Sequence, residues 1–392
     1  MRNAIIRFAS ASICAGLALA AGAQNLLIPD SNEDKVLLVS AFDGAILDAS
    51  FIDVATQAAA AGVSSTPIEA LEVGNEIWVS DQVADRVWRF DRSGNFLGDI
   101  GSGGDLNNIR GMENVGNIVY VAQGSASDNF GEGIARIDTT TLAVTDVFLG
   151  RDAGDVSYWD VKFYNGELLV TNSDSGNDGI ERYDLAGNFL GFFAQSDGIN
   201  SFDFLQQLNV RTSSTNLLGG GFSVPSGVFE FLSDGTSLGI VAGLDFGPRA
   251  AYELGNGEIL WTNGAFIRSD ATIYLEGGSY RFVSPTSVIA DGDGDGIADS
   301  ADNCIAAANA DQRDTDGDGI GNLCDADLNQ DCRVQSVDLG VLKSVYFTSD
   351  PNADFNGDGI VNSTDLGIFK AQFFNDYAVD NPSGIANLCD VF

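Results

Sequence analysis

Glu76-Ile-Trp-Val-Ser-Asp81, Val87-Trp-Arg-Phe-Asp91 and Gly94-Asn-Phe-Leu97 read together as one structural unit. An apolar strand ends in a turn residue, and a second strand alternates apolar and polar side chains. An Asp-x-x-Gly turn then leads into a third strand. The first element recurs as Asn25-Leu-Leu-Ile-Pro-Asp30, Ile118-Val-Tyr-Val-Ala-Gln123, Glu167-Leu-Leu-Val-Thr-Asn172, Asn216-Leu-Leu-Gly-Gly-Gly221 and Glu258-Ile-Leu-Trp-Thr-Asn263. The six starts lie 51, 42, 49, 49 and 42 residues apart. Second strands are expected at Val36–Ser40, Val87–Asp91, Ile134–Asp138, Ile180–Asp184, Val228–Leu232 and, more weakly, Thr272–Glu276. A period of 40–50 residues with about four short strands per unit is a propeller spacing, and six copies imply six blades. The first copy starts at its second strand, so a strand near Tyr280–Ala290 is expected to return and close the ring.

The residues ending the first-listed strands are Asp30, Asp81, Gln123, Asn172, Gly221 and Asn263. In a propeller, equivalent positions are expected to ring one end of the channel, where carboxylates and amides would hold a cation or polar ligand. Turn chemistry accounts for the same residues, because Asp and Asn favour strand ends. Trp78, Trp88 and Trp261 lie within strands, where aromatics fill space between blades. The repeat resembles the NHL and related six-bladed propeller families over roughly residues 25–288, most closely at the unit quoted first. That resemblance implies fold more than function. Calcium-dependent lactonases use a central acidic ring of this kind, but no longer motif of theirs is present.

Composition narrows the rest. The chain of 392 residues has 19 Lys+Arg against 56 Asp+Glu, a formal charge of −37. Nucleic acid and anionic membrane surfaces need a basic footprint, so neither is an expected partner. There is no histidine, which excludes His-activated nucleophiles and His-ligated zinc. Arg2 and Arg7 precede an apolar run, Ile13 to Ala21, ending in Ala21-Gly22-Ala23. Residues 1–23 read as a cleaved signal peptide, with no membrane span, and the mature protein is expected outside the cell or in the periplasm.

Residues 291–392 hold 20 Asp, no Glu and 4 Lys+Arg, a net −16 in 102 residues. The aspartates fall in four registered copies of one 12-residue loop. Oxygens at positions 1, 3 and 5 converge on a cation, glycine at 6 permits the turn, the carbonyl of 7 points inward and 12 closes the shell. The expected ligands are Asp291, Asp293, Asp295, Ile297, Asp299 and Asp302, then Asp314, Asp316, Asp318, Ile320, Asn322 and Asp325. They continue with Asp327, Asn329, Asp331, Arg333 and Asp338, then Asp354, Asn356, Asp358, Ile360 and Asp365. An all-oxygen set suits Ca²⁺, about four ions in all, better than zinc.

The first two loops, with Asn303-Cys304 and Asn309-Ala-Asp-Gln312, resemble thrombospondin type 3 repeats, which have little apolar core and wrap around calcium. The last two start 27 residues apart and run into Leu339-Gly-Val-Leu-Lys-Ser-Val-Tyr-Phe347 and Leu366-Gly-Ile-Phe-Lys-Ala-Gln-Phe-Phe374. They resemble a type I dockerin, a pair of F-hand calcium sites that docks a cohesin. The resemblance carries the docking role to Ser336, Val337 and Lys343, or to Ser363, Thr364 and Lys370. Cys332 departs from it, standing where a dockerin loop has Gly. Cys14 leaves with the signal, and the four remaining cysteines allow three pairings. Cys304–Cys324 would link the thrombospondin-type repeats and Cys332–Cys389 would clasp the dockerin ends, with Cys324–Cys332 the competing link.

The fold class expected is thus mainly β. A six-bladed propeller (24–290) is followed by a calcium-wrapped segment (291–326) and a small α-helical dockerin-like domain (327–392). The leading functional expectation is a secreted binding protein with a glycan or protein ligand on the propeller and a cohesin-like partner for the docking module. A dockerin-tethered polysaccharide-active enzyme, working through paired carboxylates, and a calcium-assisted lactonase-like hydrolase are the alternatives.

Overall fold

The computed structural model describes residues 25–148, 157–173, 179–196, 202–288, 293, 295, 297, 301–376 and 382–383. The expected signal peptide, Asp291, Asp299 and Cys389 lie outside them. Among the described residues the chain builds six four-stranded antiparallel sheets. The blade quoted first consists of Pro67–Val73, Glu76–Asp81, Arg86–Asp91 and Phe96–Ile100. Its Asp-x-x-Gly turn is closed by the Asp91 carboxylate, which accepts the amides of Ser93 and Asn95 at 2.9 and 2.8 Å. Gly94 has φ +80°, and a Cβ there would lie 2.4 Å from the Phe51 carbonyl of the preceding blade. Only glycine fits both demands.

The ring closes as expected. Ser284–Thr286 returns as the first strand of blade 1 and pairs with Asn25–Leu27. The last blade differs from expectation: its third strand is Phe266–Arg268, and Ile273–Glu276 forms its outer edge. Thr272–Glu276 alternates well enough to read as an inner strand, but only three residues separate Thr262 from Phe266, so the chain turns back earlier.

In every blade the repeated apolar strand is second, not first. The innermost strands are Ser284–Thr286, Pro67–Val73, Ile109–Val115, Tyr158–Tyr164, Leu205–Val210 and Ala250–Glu253. Hydroxyls staple these strands from blade to blade. Thr171 Oγ1 accepts the Asp160 amide at 2.9 Å and donates to the Gln206 carbonyl of the next blade at 2.8 Å. Ser80 links the Glu69 amide to the Arg110 carbonyl in the same way. Trp78, Trp88 and Trp261 are fully buried between blades, as expected.

The axis is polar and sealed. Glu69 accepts bonds from Ser284 Oγ at 2.7 Å, Gln207 Nε2 at 3.2 Å and the Met112 amide. Asp160 accepts the Leu208 amide at 2.8 Å. Lys162 pairs with Glu113 at 2.8 Å. Burial pushes Glu69 up to about 7, and burial together with Glu69 raises Asp160 well above the carboxylate range. Burial opposes the charge on Lys162, but Glu113, Asp160 and Glu69 outweigh it and hold the amine protonated.

Two predictions follow from this packing. Thr171→Val keeps the shape but leaves the Asp160 amide unpaired, and should cost about 1–3 kcal/mol in denaturant unfolding; a change below about 0.5 kcal/mol would remove the staple from the argument. Glu69 binds its proton more tightly folded than unfolded, so its contribution is complete below about pH 4.5 and lost as pH rises through about 7. Melting temperature should fall over that window in the native protein and fall less in Glu69→Gln, with equal slopes counting against the assignment.

Candidate functional site

The last two loops repeat one another bond by bond. Asp327 Oδ1 accepts the Asp331 amide at 3.2 Å, and Asp354 Oδ1 accepts the Asp358 amide at 3.1 Å. The Asn329 amide reaches Asp338 Oδ1 at 3.1 Å, and the Asn356 amide reaches Asp365 Oδ1 at 3.4 Å. The side chains of Asn329 and Asn356 bond Asp331 and Asp358 at 3.0 and 3.1 Å. Each loop thus gathers its position 1, 3, 5 and 12 oxygens. Gly359 holds position 6 at φ +93°, and Cys332 takes φ +69° at the equivalent place without being glycine.

Position 12 does two jobs. Asp338 and Asp365 are fully buried, and each accepts the main-chain amide of the residue before a helix, Gln335 or Asn362, at 2.8 Å. Capping boxes therefore start the helices Ser336–Ser344 and Ser363–Gln372. An aspartate reaches that amide from N3, which accounts for Asp where helix-pair calcium loops carry Glu. Leu342 and Phe369 are buried between the helices, with Leu339 and Leu366 packed beside them. Ser336, Val337, Lys343, Ser363, Thr364 and Lys370 are all exposed, on corresponding positions of the two helices.

The carboxylates fit a hard divalent cation. Oxygens of Asp293, Asp295 and Asp302 lie within 4.8 Å of one another, as do those of Asp314, Asp316 and Asp318. Asp302 is fully buried, and its Oδ2 has no hydrogen-bond donor. Burial and Asp318 push Asp325 up to about 9, and burial pushes Asp327 up to about 6, with backbone amides lowering it and Asp338 and Asp331 raising it. Acid groups so crowded and dehydrated call for a positive charge among them, and an oxygen-only donor set matches Ca²⁺. When bound, the ion would neutralise the loop carboxylates and fix the helix starts. Ile297, Ile320, Arg333 and Ile360 occupy position 7.

The second loop does not stand apart from the helices. Cys304, Ile320, Cys324 and Ala326 share one core with Val334, Leu342, Phe355, Val361 and Phe369. Arg313 Nη1 donates to the Pro351 carbonyl at 3.1 Å, and Asn322 Nδ2 donates to the same carbonyl at 2.8 Å. Asn322 Oδ1 accepts the Thr315 amide at 2.7 Å, so its side chain serves this junction. Sequence reasoning missed the junction; the apolar Ala353, Phe355 and Val361 around the fourth loop were its only signal. Asn309 and Gln312 brace the first loop: Gln312 Nε2 donates to Asp302 Oδ1 at 2.8 Å. Cys304–Cys324 is bonded as expected, with Cα atoms 5.8 Å apart. Cys332 is also in a disulfide; its expected partner, Cys389, lies outside the described residues.

The propeller positions singled out from sequence end the second strands or, for Asn263, directly follow one, and are engaged in loop closure. Asp81 accepts Trp88 Nε1 at 2.9 Å, Ser65 Oγ at 2.6 Å and the Thr66 amide at 2.8 Å. Asp30 accepts the Asn32 and Ser279 amides, and Gln123 accepts the Asn107 amide. Asn172 accepts the Ser157 amide, and Asn263 accepts those of Ala265 and Phe266. The axis itself is lined by the strand inside them, as described for Glu69 and Asp160.

Comparison with known proteins agrees with both halves. Residues 325–374 match the dockerin type I domain family. A chain of the nidogen–laminin complex superimposes with a TM-score of 0.52 at 13% identity, over 67% of this chain and 98% of that one. A protein of unknown function from Bacteroides caccae gives 0.46 at 12% identity over 67% and 98%. Virginiamycin B lyase from Staphylococcus aureus gives 0.41 at 12% over 64% and 82%. Only the first is near enough to speak for the shared propeller fold. No curated protein matches the chain. No helix among the described residues is long and apolar enough to cross a membrane. The chain therefore carries a dockerin type I domain, a calcium-dependent docking module, behind a six-bladed β-propeller of a form that fits a binding module.

Proposed function

We propose that this is a secreted recognition protein whose propeller is the ligand-binding head and whose carboxyl-terminal module docks it onto a cohesin-like partner when calcium is bound. The observation that carries the reading is the bond-by-bond repetition of the two loops, each starting a helix that exposes side chains at corresponding positions. Ser336, Val337 and Lys343 on one helix and Ser363, Thr364 and Lys370 on the other form two interchangeable docking surfaces. About four Ca²⁺ bind, one per loop. Residues 1–23 direct export, which also suits the disulfides. Because the second loop shares the helices' core, the docking module is read as beginning ahead of Asp327 and not at it.

Calorimetric titration of the metal-stripped chain with Ca²⁺ should reach about four ions, and saturation at one or none would reject the four-loop reading. The helices have 9 and 10 residues, too few to persist alone in water. Asp327→Ala together with Asp354→Ala should therefore abolish their circular dichroism signal and binding to a type I cohesin, while propeller melting is unchanged. Calcium-dependent helicity surviving in that double variant would refute the coupling of metal to docking.

A further inference from the structure

One tier of the propeller axis carries positive charge in a chain whose net charge is −37. The tier is defined by the bonds between blades. The carbonyls of Arg110, Gln206 and Arg281 accept Ser80, Thr171 and Thr262 of the preceding blades. Those of Ile68 and Arg249 accept the amides of Phe282 and Gln207. The Trp159 carbonyl lies against Gly111, where a Cβ would approach within 2.9 Å. Six blades thus contribute Ile68, Arg110, Trp159, Gln206, Arg249 and Arg281, one residue each.

Three of these side chains join a run of contacts that passes from blade 3 to blade 6. The Arg110 guanidinium stacks on Trp159 at 3.8 Å, and Trp159 meets Phe204 at 5.0 Å. Phe204 meets Phe222 at 5.6 Å, and Arg249 lies over Phe222 at 4.9 Å. Arg110 donates only to Ser157 and the Tyr158 carbonyl, Arg281 only to Ser31, and neither they nor Arg249 form an ion pair among the described residues. Arg110 is 6% exposed and its Nε lacks an acceptor, as do Arg249 Nε and Trp159 Nε1. Of the three arginines, Arg281 is the one with a carboxylate, Asp30, acting on it. Burial lowers Arg110 and Arg249 to about 10, which keeps both charged at neutral pH. Beside Arg249 lies an apolar shelf on two loops, with Phe222 39%, Val224 84%, Leu244 58% and Phe246 49% exposed.

We propose that this tier binds an acidic oligosaccharide, one carboxylate or sulfate held by Arg249 and another by Arg110, with a sugar face laid on the shelf at Phe222. Buried cations without counterions are costly, and an oxyanion offsets that cost through charge-assisted hydrogen bonds. An aromatic next to an open shelf suits a pyranose C–H face, which a free inorganic anion would leave uncovered. The inference rests on the reading of the propeller as the recognition head and names its ligand class.

The test uses the full calcium-loaded chain, freed of excess metal, and three oligosaccharide probes: a galacturonate hexamer, a sulfated galactose hexamer and a neutral galactose hexamer. At least one acidic probe should bind with an affinity that falls as salt rises, the two acidic probes deciding between carboxylate and sulfate. Arg249→Gln and Arg110→Gln should each weaken it about tenfold or more, with a cooperative unfolding transition retained. Failure of both acidic probes, equal binding of the neutral one, equal binding of poly-glutamate, or full affinity in both variants would overturn the proposal. Neutral-sugar binding unaffected by Arg249→Gln would do so while leaving the recognition-head reading intact.

Discussion

Two buried carboxylates, Asp338 and Asp365, hold the carboxyl-terminal module together. Each closes a metal loop and caps a helix with the same side chain. The geometry joins loop closure, helix nucleation and the presentation of an outer face. An acid fully buried among other acids is unfavourable until a cation joins it, so a bound cation would pass its free energy to the helices through one residue apiece. The same dependence spreads to the second loop, whose Ile320 and Cys324 lie in the core those helices complete.

The propeller follows a different logic. Hydroxyls on every second blade bridge adjacent inner strands. Ser80, Thr171 and Thr262 belong to blades 2, 4 and 6, giving the ring a threefold pattern within its six blades. That alternation leaves the axial tier free to vary from blade to blade, and it is there that the chain departs from its own repeat.

The fold was legible because strands with a strict period announce themselves through apolar runs and turn residues. Ser284–Thr286 was foreseen from the missing strand of the first unit. The inner strands were harder, since Arg110, Trp159 and Gln206 break the apolar pattern that marks a buried strand. Asp81 and Asn263 looked like channel residues only because the most apolar strand was taken as the reference; burial on both faces makes the second strand the most apolar one. The repetition of the last two acidic loops was legible, because it is written in consecutive residues. The contact of Arg313 and Asn322 with Pro351 was not, because it joins segments through main-chain carbonyls that leave no trace in residue type.

The closing strand of the ring is also the strand that leads to the docking module. Ser284 and Thr286 are held from the side by Glu69 and Glu72, at 2.7 and 2.8 Å, and Arg92 reaches Ser287 at 2.8 Å. Asn25 Nδ2 secures the Val288 carbonyl at 2.9 Å. A pull between a docked module and a ligand held on the propeller would therefore arrive first at this seam. It would meet a cluster of side-chain bonds from blade 2 before it reached the strand pairing that keeps the ring shut. In a tethered head the seam would serve as a mechanical anchor, and its strength would set how much tension the ring tolerates before it opens.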